Sequence, residues 1–229
     1  MSAASSRPGP MRLGPIALTP PAPESPTAAF GELASQEQVE RTIQALEANG
    51  IHAIVVPDRA AARTVVLELL PKGAEVLAAS SQTLEAVGLS ADLSDVARFD
   101  AVRPRLMKLY QEGKMDEQRK IGAAPAFVVG SVHAVTEHGQ VVVASASGSQ
   151  LGPYVYGAGK VIWVVGTQKI VPDLETGVRR VQEYTFPRED ARAQKAYGRG
   201  SALAKLLVIG KEFQPGRITM VLVKENLGF

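Results

Sequence analysis

From Ser35 onward the chain alternates between two hydrophobic periods, and the alternation predicts a fold of interleaved helices and strands. Val39, Ile43 and Leu46 recur on one helix face, behind a capping box of Ser35 and Gln38 and ahead of Gly50, where a helix end favours glycine. Residues 51–56 then read as a strand. Asp58 caps a second helix carrying Val65, Val66, Leu69 and Leu70, which Pro71 halts before a short strand at 75–79. Ser81 opens a brief helix ending at Gly88. Residues 104–121 read as one longer helix with Arg105, Lys108, Glu112, Asp116 and Arg119 on its solvated side.

Downstream, β-branched runs at 126–129, 133–136, 140–144 and 161–165 are bounded by Gly, Ser and Pro, with a tight turn at His138 and Gly139. Asp173 caps a helix reaching about Tyr184, more helix follows Pro187, and 206–209 and 218–223 supply the last strands. Helices spaced between buried strands imply an α/β class: a single three-layer domain with a mainly parallel central sheet, these four runs at its centre. The first 29 residues hold seven of the fifteen prolines and show neither period. They are expected to form a disordered Pro/Ser-rich tail ahead of one α/β domain at 30–229.

Charge and composition remove several function classes. With 25 basic and 23 acidic residues the net charge is only +2, too weak a field to gather along a nucleic-acid backbone. No apolar run approaches the roughly eighteen residues a bilayer span requires, so no membrane partner is expected. The absence of cysteine excludes disulfides, thiolate zinc sites, cysteine-ligated iron–sulfur clusters and cysteine nucleophiles, and fits a cytoplasmic location. No cofactor bound covalently or through thiolates is therefore expected.

The chemistry concentrates between residues 130 and 169. Ser145, Ser147, Gly148, Ser149 and Gln150 follow a strand, and their small side chains let backbone amides and hydroxyls approach an anion. A flexible crossover gives the same composition, and neither a Walker loop nor a dinucleotide fingerprint is present. Gln168 and Lys169 follow the strand containing Trp163, where the amine can pair with phosphate or carboxylate or simply remain a solvated loop cation. Successive parallel strands deliver their loops to one edge, so residues 130–169 are expected to form one pocket with Ser147, Ser149 and Gln150 near Lys169 and Glu137 within reach, where Lys169→Ala weakens anion binding and barely alters stability. Glu137 precedes a turn and is the candidate nucleophile or base, against the plainer reading of an exposed turn acid. His133, Glu137 and His138 lack the helical spacing of a zinc site, so no metal is expected. The basic groups Arg179, Arg180, Arg188, Arg192, Lys195 and Arg199 read as a solvated helix face or the rim of an anion site.

The run from Gly130 through Glu137-His-Gly-Gln140, the Ser145 to Leu151 segment, Val164-Val-Gly-Thr-Gln-Lys-Ile-Val-Pro-Asp173, Phe186-Pro-Arg-Glu-Asp-Ala-Arg192 and the ending from Gly216 resemble the shorter members of the LUD-domain (lactate utilisation) family. The resemblance spans about residues 30–229. Longer relatives have Glu-Thr-Gly-Thr at the position of Glu137 to Gln140, a departure in this chain. The resemblance implies a fold like the sugar-phosphate isomerase, CoA-transferase and formyltetrahydrofolate cyclo-ligase group, with Ser131 joining the binding loops. It implies a small anionic ligand, possible CoA or another phosphate-bearing ligand, and an iron–sulfur protein partner from a lactate-oxidation system. Glu137 matches loosely the acyl-accepting glutamate of CoA-transferases. Three functions follow: a redox-centre-free accessory component of lactate or related hydroxy-acid utilisation; a free-standing enzyme on a sugar phosphate, CoA ester or folate; or a regulatory binding module.

Overall fold

The structure, a computed structural model, describes residues 28–229. The tail expected at 1–29 lies outside the described residues but for its last two. The strands form two sheets rather than one. The larger is six-stranded and wholly parallel, and contains β1 (His52–Val56), β2 (Glu75–Ala78), β3 (Asp100–Ala101), β4 (Phe127–Gly130), β7 (Lys160–Gly166) and β10 (Ile218–Val223) in the order β1-β10-β7-β4-β2-β3. The smaller has the order β8-β5-β6-β9, from β5 (Ala134–Thr136), β6 (Val141–Ser145), β8 (Ile170–Val171) and β9 (Lys205–Ile209). Its β6 runs antiparallel to both β5 and β9.

Period-two burial explains the layering. Along β7, Val161, Trp163 and Val165 enter one core and Ile162 and Val164 the other. The second core is closed by α2 (Arg59–Glu68), α3 (Gln82–Val87) and α4 (Leu89–Asp92), whose Ala62, Val66, Leu84 and Leu89 are buried there. The first is closed by α1 (Gln36–Ala48), α5 (Val102–Gln111) and the inner face of the small sheet through Val135, Val141 and Val143. The outer face of the small sheet, through Ala134, Val142 and Val171, packs on Val181. That residue sits in a π turn, Val181–Thr185, which joins α7 (Leu174–Arg180) to α8 (Phe186–Tyr197) as one continuous helical run.

Local chemistry accounts for most boundaries. Both hydrogen bonds of the Ser35/Gln38 capping box are formed, and Asp58, Ser81 and Asp173 each accept a backbone N–H as N-cap of the helix they precede. The single helix expected at 104–121 is instead two, α5 and α6 (Met115–Ala123), because Gly113 at φ 72° takes the left-handed conformation that ends a helix. The hairpin turn brings Gly139, at φ 75°, against the backbone of Ala45, so glycine there serves both conformation and close approach.

Candidate functional site

Parallel strands deliver their carboxyl ends to one edge, and ligands of open α/β sheets gather there. At that edge lies a cavity of about 470 Å³. Its floor comes from the segments after β2 (Ser80 to Thr83), after β4 (Ser131 to His133) and after β7 (Lys169). The opposing wall is supplied by the end of β6 with Ser145, Ser147, Ser149 and Gln150, and by α8 with Glu189, Arg192 and Tyr197.

Lys169 belongs to a short 3-10 turn, Thr167–Lys169, all of it buried. Its side chain is only 1% exposed, yet it lines the cavity. The Nζ contacts Thr83 Oγ1 at 2.9 Å, Ser131 Oγ at 3.1 Å and the Val132 carbonyl at 3.1 Å. Among the described residues no carboxylate pairs with it. Burial holds the amine well below the usual lysine range, and Arg180 adds to the effect. Arg180 is 0% exposed and donates to the carbonyls of His133 and Phe30 and to Thr185 Oγ1, again without a carboxylate. His133 accepts the Ala144 N–H on Nδ1 at 3.0 Å, which requires that nitrogen to be unprotonated. Burial, then Lys169 and Arg180, pull its pKa down to about 3.

The serine loop is internally bonded. Ser145 Oγ accepts the Gly148 N–H at 2.8 Å and donates to Gln150 Oε1 at 3.0 Å, while Ser147 and Ser149 hydroxyls bond each other at 3.2 Å. Tyr154 is fully buried, packs edge-on against Trp163 with ring centroids 5.5 Å apart, and directs its hydroxyl to the Ser131 carbonyl at 3.4 Å. It lies on a π turn, Pro153–Gly157. The buried Arg217 supports that turn by donating to the carbonyls of Tyr154, Val155 and Ala158 while pairing with Glu212 at 2.9 Å.

Of the residues anticipated from sequence, Ser131, Ser145, Ser147, Ser149, Gln150 and Lys169 line this cavity. Gly148 is set back against the stem of Lys205. Gln168 faces away, donating to the carbonyls of Leu227 and Gly228 and so tying down the segment that brings Phe229 to the cavity. Glu137, expected within reach of the loop and Lys169, lies elsewhere: it accepts from Arg41 at 2.7 Å and Gln38 at 2.9 Å across to α1. The reason is topological, since the hairpin turn carrying it points along the antiparallel small sheet toward α1 rather than to the parallel edge. Thr83, Arg103 and Tyr154 were not anticipated, and His133 was weighed only as a metal ligand. Arg103 lines the cavity from the first turn of α5 and forms no hydrogen bond or ion pair among the described residues. The basic residues anticipated as a face diverge: Arg179 is exposed and paired with Glu183, Arg180 is buried, and Arg192 reaches the cavity paired with Glu189 at 2.7 Å.

These features define a three-layer α/β protein with a hydroxyl- and cation-lined cavity at the carboxyl edge of its parallel sheet. The LUD domain family model matches residues 39–223, and the chain belongs to that family. The fold is similar to the crystal structure of a DUF162 family protein from Deinococcus radiodurans, with a TM-score of 0.52 at 14% identity, covering 84% of this chain and 99% of that one. No curated protein matches the chain significantly. Membership in the LUD family relates the chain, at family level, to lactate utilisation. Among the described residues no helix is long and apolar enough to cross a membrane.

Proposed function

We propose that this chain is a cytoplasmic accessory component of lactate or related hydroxy-acid utilisation that holds a small anionic ligand in the strand-edge cavity. The observation that carries this reading is a set of basic side chains without a carboxylate partner among the described residues at a cavity rich in hydroxyls: Lys169 and Arg103 line it, and the buried Arg180 bonds two residues that line it, His133 and Thr185. Burying a cation is costly unless a counter-charge arrives, and an anion entering the cavity supplies one. With no cysteine, the chain contributes no thiolate-held redox centre, so electron transfer falls to a partner such as an iron–sulfur protein.

Thermal or chemical unfolding in the presence of lactate, pyruvate and inorganic phosphate tests the reading. A bound anion at a hundred times its dissociation constant adds about 2.7 kcal/mol. Stabilisation by at least one of these anions, reduced in Arg103→Gln, is expected; no response to any of them overturns it. A second reading, an enzyme acting on a sugar phosphate, CoA ester or folate, draws support from the cavity volume of about 470 Å³, which falls in the size range of sites for drug-sized ligands. Tight binding of acyl-CoA or a folate in the same assay, with turnover, would favour it.

A further inference from the structure

Lys169 is more than a buried clamp between β4, α3 and β7. Lys169 and all three of its hydrogen-bonding partners belong to the cavity lining, which puts the amine's hydrogen-bond cluster in the wall that a ligand would meet. Two of those partners are hydroxyls: Thr83 Oγ1 donates its proton to the Leu227 carbonyl at 3.0 Å and so accepts from Nζ, whereas Ser131 Oγ, whose own bond to the Val132 carbonyl is a long 3.4 Å, can accept from an ammonium or donate to the lone pair of a neutral amine. The Val132 carbonyl, like Thr83 Oγ1, can only accept from Nζ. A carboxylate bonded to Nζ would have fixed the charged form, and among the described residues none is. Instead the next carbonyl along the chain, His133 O, accepts from the buried Arg180, placing a second positive charge close by. Desolvation beside another cation is the setting in which lysines become nucleophiles.

We infer that Lys169 is an imine-forming lysine, condensing with the carbonyl of an oxo acid whose anionic group is received by Arg103. This rests on the anion-binding reading of the cavity and adds a covalent step to it. The neutral Nζ attacks the carbonyl carbon, forming a C–N bond as the carbonyl π pair moves to oxygen. The oxygen takes up one proton, and Nζ gives up one, to leave a neutral carbinolamine. Expulsion of the hydroxyl, with a second proton lost from Nζ, gives the C=N bond and one water. The Ser131 hydroxyl, at 3.1 Å from Nζ, is placed to pass these protons, so no oxidant or reductant is consumed. Arg103 lines the cavity and donates to no group among the described residues, and a guanidinium can bind a carboxylate bidentately.

The experiment incubates the full chain with pyruvate or glyoxylate, adds borohydride to reduce any imine to a stable secondary amine, and maps the modified peptide by mass spectrometry. One adduct per chain, on Lys169, is expected, and Lys169→Met is expected to lose it. Arg103→Gln should lower trapping of pyruvate more than trapping of neutral acetaldehyde. The map of the unaltered chain decides the matter even if Lys169→Met fails to fold. Adducts spread over exposed lysines, or none while pyruvate still stabilises the protein, overturn the imine and leave the anion site standing. Absence of both adduct and stabilisation by lactate, pyruvate or phosphate removes the two together.

Discussion

Lys169 and Arg180 donate to consecutive carbonyls, Val132 O and His133 O, so that two buried basic side chains grip the same turn of chain leaving β4. This changes the consequence expected of removing Lys169. A solvated lysine would cost nothing to truncate, but Lys169→Ala empties a packed site and takes a donor from the Val132 carbonyl and from the Thr83 and Ser131 hydroxyls. The expected loss is about 2–4 kcal/mol in chemical denaturation. Lys169→Met, which keeps the stem's volume, should cost less, on the order of 1–2 kcal/mol. Equal losses from both would show that packing, not the amine's bonds, dominates.

His133 gives the protein an acid sensitivity of defined sign. Its folded pKa of about 3 lies below the ordinary 6.5, so between these values the unfolded chain binds more protons than the folded one. Stability from this residue is therefore complete above about pH 6.5 and is lost as pH falls toward 3. Near pH 5 the slope should approach about 1.4 kcal/mol per pH unit. Urea midpoints measured between pH 7 and 4.5 check this, and His133→Gln should flatten the curve over that range. An unchanged slope would assign the titration to other groups.

Glu137→Gln should leave anion binding at the cavity unchanged, because its carboxylate is engaged with Arg41 and Gln38 on α1. Arg41 is more than half exposed, so the lost ion pair should cost less than about 1 kcal/mol. Titration calorimetry with the anion that stabilises the wild-type chain is the check. A substantial loss of affinity would connect the hairpin turn to the cavity by a route the present geometry does not contain.

What could be read from the sequence follows from how local each cause is. Helix caps at Ser35, Asp58, Ser81 and Asp173 are decided within four residues, and the structure forms all four. Most strand positions were legible too, apart from the two-residue β3 and β8, whereas sheet membership was not. Val161 to Val165 and Val141 to Ala144 are alike in composition, yet the first run is central to the parallel sheet and the second belongs to the small sheet. Partner choice depends on the whole topology, which a β-branched run does not encode by itself. The break at Gly113 was present in the sequence as a glycine inside a helical pattern.

The candidate site divides in the same way. The serine loop and Lys169 were conspicuous because small and charged residues followed apolar strands. Thr83, Arg103 and His133 carried no local mark, and only the meeting of β2, β4 and α5 at one edge brings them to the cavity. Arg180 was visible within a basic pair, but helix periodicity alone did not separate its buried direction from that of the exposed Arg179. The later packing of Val181 against the small sheet does so.

The support beneath Tyr154 yields the last prediction. A π turn leaves carbonyls that the helical ladder does not satisfy, and Arg217 donates to three in this region while its Nε pairs with Glu212. Both side chains are at least nine-tenths buried, so removing one partner strands the other away from water. Arg217→Met should therefore destabilise the fold by about 3–5 kcal/mol. Glu212→Gln keeps a hydrogen-bond acceptor for the guanidinium and should cost markedly less. Because the turn presents Tyr154 to Trp163 and to the Ser131 carbonyl, Arg217→Met should also disturb the indole environment, read as a change in the fluorescence of the single tryptophan under conditions where the chain remains folded. A large stability loss with unchanged tryptophan emission would mean that Arg217 holds the chain together without positioning the cavity wall.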